Sequence, residues 1–311
     1  MLASFFFVLF GAFCLYLGAE WLIKSSLSLS KKWKTTPLFA GLLLVGFGTS
    51  MPELIVTLQA NLKNYPTMAM ANIVGSNLFN TAFILGLSLL IKPVFISANF
   101  RKFDAPVLLF CCGLLWILGA EHHLGRLWGM FLVLLLSFYS YGTYYFSKKE
   151  QQKKTYSIDT PIWDWKIGMC LLPIGLAVLI VGAELFLKGA ISIAEHFQLS
   201  EAIIGLTLVA IGTSLPELAT SLLAACRGHG SIVLGNIVGS NIYNVLGILG
   251  ITSLVKPLGF KDIHLLDFIT MLGVNALFVF GAFFFRTLSK KMGALLLGSY
   301  FIYLFYLLQR V

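Results

Sequence analysis

The sequence predicts an all-α polytopic membrane protein, with ten transmembrane helices in two inverted-topology repeats of five. Three observations predict it. Ten long apolar segments alternate with short polar loops. The two halves of the chain match each other at a constant separation of 164 positions. Each half carries one carboxylate in the middle of a matched apolar segment.

Of 311 residues, 58% are hydrophobic and 11% charged, and the mean hydropathy is +0.89. A soluble domain carries about 25% charged residues. The apolar segments fall at about 4–23, 37–60, 67–91, 104–120, 124–146, 166–187, 201–226, 231–255, 264–286 and 291–309. Each is long enough, or nearly so, for a helix to cross about 30 Å of hydrocarbon. They are continuously apolar and do not alternate, which excludes a β-barrel. The first lacks a basic leader and reads as a span, not a cleaved signal. A net charge of +9 raises the question of nucleic acid, but the basic residues lie in the loops. The partners expected are membrane lipid and small cations, with no nucleic acid and no protein partner.

Loop charge sets orientation. Sixteen of the 22 Lys and Arg fall in one set of alternate loops, which should face the cytoplasm. Both termini then lie outside. The longest polar stretch, 147–165, becomes a cytoplasmic linker between a first repeat, 1–146, and a second, 166–311. The address expected is a bacterial inner membrane.

The repeat is read from polar landmarks. Glu20 matches Glu184, Gly41 matches Gly205, Glu53 matches Glu217, Ser76 matches Ser240, and Lys92-Pro93 matches Lys256-Pro257. Apolar similarity alone would not align Pro, Glu, Asn and Lys. Five spans per half is an odd number, so the second copy enters the membrane from the opposite side. Inverted repeats with interrupted helices and a midplane site are the plan of secondary transporters.

The central motif reads Gly48-Thr49-Ser50-Met51-Pro52-Glu53 and again Gly212-Thr213-Ser214-Leu215-Pro216-Glu217. Proline removes an N–H and displaces a carbonyl one turn back, and Gly46 and Gly48 permit local unwinding. Thr49 and Glu53, four apart, share a helix face. A second string reads Asn72 to Asn77 with Asn80, and Asn236 to Asn241 with Asn244. Ser76 and Asn80, like Ser240 and Asn244, are one turn apart and suit ligands. Asn72, Asn77, Asn236 and Asn241 suit interhelical glue. Carboxylates, hydroxyls and carbonyls are the oxygen donors that hard cations need. An acid at this depth is a functional hypothesis in its own right. A pair of them must be balanced by one divalent ion, by monovalent cations or by protons. Mutually exclusive filling by such species is the basis of antiport.

The remaining polar residues have simpler readings. Glu20 with Lys24 and Glu184 with Lys188 are i,i+4 pairs near span ends. Asp104 and Asp267 start their helices, where capping or dipole roles are the default. The five Cys pack as small apolar residues. The five His lie in loops or at span ends, and no zinc or Ser-His-Asp arrangement can be assembled from them. No enzyme and no cofactor is expected.

The paired Gly-Thr-Ser-x-Pro-Glu and Gly-Ser-Asn-x-x-Asn motifs resemble the two α-repeats of the calcium/cation antiporter superfamily, nearest to its prokaryotic sodium/calcium exchanger family. The resemblance covers the whole ten-helix plan. It implies a cation site of Thr49, Ser50, Glu53, Ser76 and Asn80 with Thr213, Ser214, Glu217, Ser240 and Asn244, joined by the carbonyls of Gly46 and Ala210. Calcium itself would fall to Glu53, Glu217, Thr49 and Thr213. It further implies exchange of Ca²⁺ for Na⁺ by alternating access, with the first helices of the two halves sliding against the rest. Members of the family carry Asp at one of the positions filled here by Asn80 and Asn244, which bears on stoichiometry. The alternatives are a Ca²⁺/H⁺ antiporter and a cation channel; inverted repeats argue against the channel.

Overall fold

A computed structural model describes residues 2–153, 163–196, 210–259 and 263–309. Among the described residues the fold is mostly helical, with four two-residue strands. In chain order the helices are α1 (Leu2–Trp33), α2 (Pro37–Thr49), α3 (Met51–Leu62), α4 (Pro66–Ile91), α5 (Phe100–Glu121), α6 (Arg126–Lys153) and α7 (Trp165–His196). They continue with α8 (Ala210–Gly212), α9 (Leu215–Cys226), α10 (Gly230–Val255), α11 (Leu265–Phe284) and α12 (Lys290–Leu308). By length and composition, seven of the described helices can cross a membrane, or eight if α2 and α3 count as one bent span. The start of the expected 201–226 segment, Gly205 included, and residues 154–162 of the expected 147–165 linker lie outside the described residues.

Burial separates centre from rim. The most apolar window of α10 is 100% buried and that of α4 is 78% buried, against 28% for α1 and 22% for α7. The best-buried helix thus carries Asn236, Ser240, Asn241 and Asn244, all fully inside. The rim exposes Phe6, Phe138, Phe284 and Ile302, as a lipid-facing surface does. Each central helix widens at one place into a π-type turn, Phe79–Leu85 in α4 and Tyr243–Ile248 in α10. Such turns favour functional sites. Here they hold Asn80 and Asn244.

The halves embrace one another. α1 and α7 run antiparallel along their length: Gly11 meets Gly182 and Phe186, Gly18 meets Gly175 and Leu179, and Gly189 meets Ser4. A Cβ on Gly11 would lie 2.5 Å from the Phe186 nitrogen, so only glycine admits this approach. Strands β1 (Val94–Phe95) and β2 (His123–Leu124) pair antiparallel with β4 (Thr287–Leu288) and β3 (Leu258–Gly259) respectively. β1 and β3 are repeat equivalents, as are β2 and β4, so the two ladders exchange under the repeat. Reciprocal contacts of this kind mark an approximate two-fold relation.

Three expectations need correction. Asp104 does not cap its helix: α5 begins a turn earlier, and Asp104 Oδ1 accepts from the Tyr139 hydroxyl at 3.2 Å. Asp267 does lie in the first turn of α11, but its Oδ1 takes the hydroxyl of Tyr303, the repeat equivalent of Tyr139, at 3.1 Å. A largely buried acid needs a hydrogen-bond donor, and in each half a tyrosine hydroxyl supplies it. Second, Glu20 pairs with Lys24 at 2.9 Å and also with Arg227 at 3.2 Å, whereas Glu184 and Lys188 do not pair with each other. Lys188 Nζ stands 5.1 Å from the Phe7 ring centroid instead, drawn by the ring's negative face. Third, Cys111 and Cys112 are buried, but Cys170 and Cys226 are exposed on rim-facing positions where packing does not hold them.

Candidate cation-binding site

The site forms because the repeated motif breaks a helix and starts another. The first break falls at Ser50, between α2 and α3, with a 41° bend. Pro52 sits in the first turn of α3, where its missing N–H costs nothing. Glu53 lies in that same turn, where a helix N-terminus favours negative charge. The second half repeats this: α8 ends at Gly212, α9 begins at Leu215, and Pro216 and Glu217 fill its first turn. Ala210 lies on α8 at the position that matches Gly46 on α2.

The two motifs are cross-linked. Ser214 Oγ donates to Glu53 Oε1 at 2.9 Å, and Ser50 Oγ donates to Glu217 Oε1 at 3.1 Å. Each carboxylate thus takes a hydroxyl from the other half. Both Glu side chains are fully buried, and among the described residues no Lys or Arg pairs with either. Ser240 Oγ reaches Glu217 Oε1 at 3.3 Å and the Gly46 carbonyl at 3.2 Å. Thr49 Oγ1 lies 3.1 Å from the Val45 carbonyl and 3.0 Å from Asn236 Oδ1, alternative acceptors for its single proton. Ser76 Oγ accepts from Asn244 Nδ2 at 3.0 Å.

Several of the buried polar atoms that lack a partner belong to the repeated motifs. Glu53 Oε2, Glu217 Oε2, Asn80 Oδ1, Asn244 Oδ1 and Thr213 Oγ1 are all buried and lack hydrogen-bond partners. Buried polar atoms are paired as a rule, and an orphan carries a desolvation cost. Four of the five are acceptors only. Five orphaned oxygens, from Glu53 on α3, Glu217 on α9, Asn80 on α4, Asn244 on α10 and Thr213 in the turn between α8 and α9, with a formal charge of −2, have the chemistry of a hard-cation cradle. Among the described residues no group of three or more His, Cys, Asp or Glu could hold a metal ion. The set is therefore two carboxylates diluted by neutral oxygens, which suits an ion that must leave again.

Two further layers orient these ligands. Asn77 Nδ2 donates to the Asn241 carbonyl and Asn241 Nδ2 to the Asn77 carbonyl, at 3.4 and 3.3 Å. This reciprocal pair bridges α4 and α10. Asn72 Nδ2 donates to Thr57 at 3.0 Å and its equivalent Asn236 to Ser221 at 2.8 Å, tying the central helices to α3 and α9. Sequence reasoning missed Thr81 and Asn275, which join the network behind Asn241. They have no polar match in the other half. A lone Asn in the apolar 264–286 segment was the available signal.

A model of the sodium/calcium exchanger protein family matches residues 3–145 and 167–309. The chain belongs to that family. It is therefore a transporter of an ion-exchanging family and not an enzyme. The chain is 28% identical to the sodium/calcium exchanger MaX1 of Methanosarcina acetivorans, over 84% of this chain and 86% of that one. It is 30% identical to the inner membrane protein YrbG of Escherichia coli, over 83% and 81%. A solved structure of the sodium-calcium exchanger NCX_Mj, soaked with zero Na⁺ and Ca²⁺, superposes with a TM-score of 0.86 at 30% identity, over 98% of this chain and 99% of that one.

Proposed function

We propose that this exchanger is a secondary active antiporter that moves Ca²⁺ one way and Na⁺ the other, through one site that the two ions fill in turn. The observation that carries the reading is the set of orphaned oxygens presented by both halves around Glu53 and Glu217. Two carboxylates this close repel unless something cationic lies near them. One Ca²⁺ balances them; so do monovalent ions. The ligands are Glu53, Glu217, Thr213, Asn80 and Asn244, with Thr49, Ser50, Ser76, Ser214 and Ser240 holding or joining them. The carbonyls of Gly46 and Ala210 complete the cage, Gly46 once Ser240 releases it.

The architecture we propose is ten spans in two inverted repeats, 1–146 and 166–311, with both termini outside the cytoplasm and the linker inside. The antiparallel course of α1 and α7 supports it, since they are the first helices of the two halves. A bacterial inner membrane fits the relative that bears that name. In this reading α1 and α7, locked by glycine, move as one body along the rest. The ends of the bundle already differ. Glu20 on α1 is paired with Arg227, but their repeat equivalents, Glu184 and Lys63, are not paired. The ion pair between α1 and α9 thus has no counterpart between α7 and α3, where Lys256 instead ties the second half to Asn61 and Asn64 at the end of α3.

The test is calcium uptake into vesicles reconstituted with the chain, with Na⁺ and H⁺ gradients imposed separately. Outward Na⁺ should drive uptake, and a proton gradient alone should not. Uptake driven by protons alone would favour the Ca²⁺/H⁺ alternative. Uptake indifferent to the internal cation would favour a channel.

A further inference from the structure

Thr81 and Asn275 lie outside the ligand set, yet both are fully buried beside it. Thr81 Oγ1 donates to Asn275 Oδ1 at 2.9 Å and accepts from Asn241 Nδ2 at 2.7 Å. Asn275 Nδ2 donates to the Met271 carbonyl at 2.9 Å. The positions that match Thr81 and Asn275 in the other half are Val245 and Cys111. The chain is therefore one-sided.

The direction of every bond in it is forced. A backbone carbonyl only accepts, so Asn275 turns its NH₂ to Met271 and its oxygen to Thr81. The Thr81 proton is spent on that oxygen, which leaves a lone pair for Asn241 Nδ2. Asn241 Nδ2 gives its other proton to the Asn77 carbonyl at 3.3 Å. Asn241 then shows Oδ1 to Asn80, which donates Nδ2 to it at 3.1 Å. What remains of Asn80 is Oδ1, the buried oxygen without a partner. Reversing any link would put an NH₂ where the cation sits, and an N–H repels it.

We infer that Thr81 and Asn275 are positioning residues that, together with the Asn77 carbonyl, fix the polarity of the Asn80 carboxamide, so that an oxygen meets the transported cation. The inference rests on reading the cluster as the cation site. Asn244 needs no such chain, because Ser76 Oγ and Asn77 Oδ1 take both its N–H groups directly, at 3.0 and 2.9 Å.

The test uses the full chain and two readouts: the Ca²⁺ concentration that half-maximally raises Tm in detergent, and KM and maximal rate for Ca²⁺ uptake in vesicles. Thr81→Val keeps the shape and removes the hydrogen bonds. It should raise the Tm midpoint and KM by about tenfold or more, with a maximal rate within about threefold of the native chain. Thr81→Ser should restore both values, and Asn275→Ala should shift them as Thr81→Val does. A Thr81→Val midpoint within about twofold of native, or equal losses in Thr81→Val and Thr81→Ser, would overturn the inference. A native chain that binds Ca²⁺ but does not exchange it for Na⁺ would contradict the exchanger reading alone. A native chain with no Ca²⁺ midpoint would overturn both.

Discussion

Glu53→Gln or Glu217→Gln is expected to lower Ca²⁺ exchange at least about a hundredfold, because about 2.8 kcal/mol of lost ion binding is enough for that. The lost attraction is larger. A carboxylate oxygen about 2.4 Å from Ca²⁺ contributes several kcal/mol even at an effective dielectric of about 20. The amide keeps the shape of the side chain and can still accept from Ser214 or Ser50. The fold should therefore survive. Without ions the variant should be no less stable than the native chain, since a buried unpaired charge has been removed. The expected pair of results is an unchanged or higher Tm in ion-free buffer and no further rise on adding Ca²⁺. Native-like exchange in either variant would contradict the assignment of these two residues.

The second large effect is expected at the glycines between α1 and α7. A Cβ at Gly182 would stand 2.8 Å from the Leu15 nitrogen and 3.0 Å from the Gly11 carbonyl. Backbone cannot yield as a side chain can. Gly182→Leu should cost about 1–3 kcal/mol or more by overpacking, seen as a fall in Tm, and should abolish transport by splaying the helix pair. Gly113 and Gly273 provide the contrast, since a Cβ there meets nothing within 4 Å. Leucine at either should be neutral, or stabilising by up to about 1 kcal/mol from helix propensity. Equal losses at Gly182 and Gly113 would mean that close approach is not the cause.

Much of this was legible in the chain. The Pro-Glu pair announces a break followed by a new helix N-terminus, because proline is tolerated only in the first turn and an acid is favoured there. The structure has that arrangement at Ser50 and in α9. The spacing of 164 identified the equivalent residues of the two halves, and Asn77 and Asn241, read as interhelical glue, bridge α4 and α10. What stayed hidden depends on distance along three dimensions. Asp104 and Asp267 read as helix caps because their tyrosine partners lie 35 and 36 positions away on another helix. Glu20 found Arg227 across 207 positions, which no local spacing encodes. Thr81 and Asn275 escaped because a search for repeated polar residues passes over those that occur once. The crossed hydroxyls, Ser50 to Glu217 and Ser214 to Glu53, also follow from no spacing, since either serine could have served its own half.

The central claim is that one ion sits between carboxylates from opposite halves. Anomalous scattering from crystals of the chain soaked in Sr²⁺ tests it most directly, with Ca²⁺ soaks alongside. The account predicts a peak within about 2.3–2.6 Å of oxygens from both Glu53 and Glu217, lost when Na⁺ is raised. A peak that touches only one of the two, or that lies away from both, would contradict it.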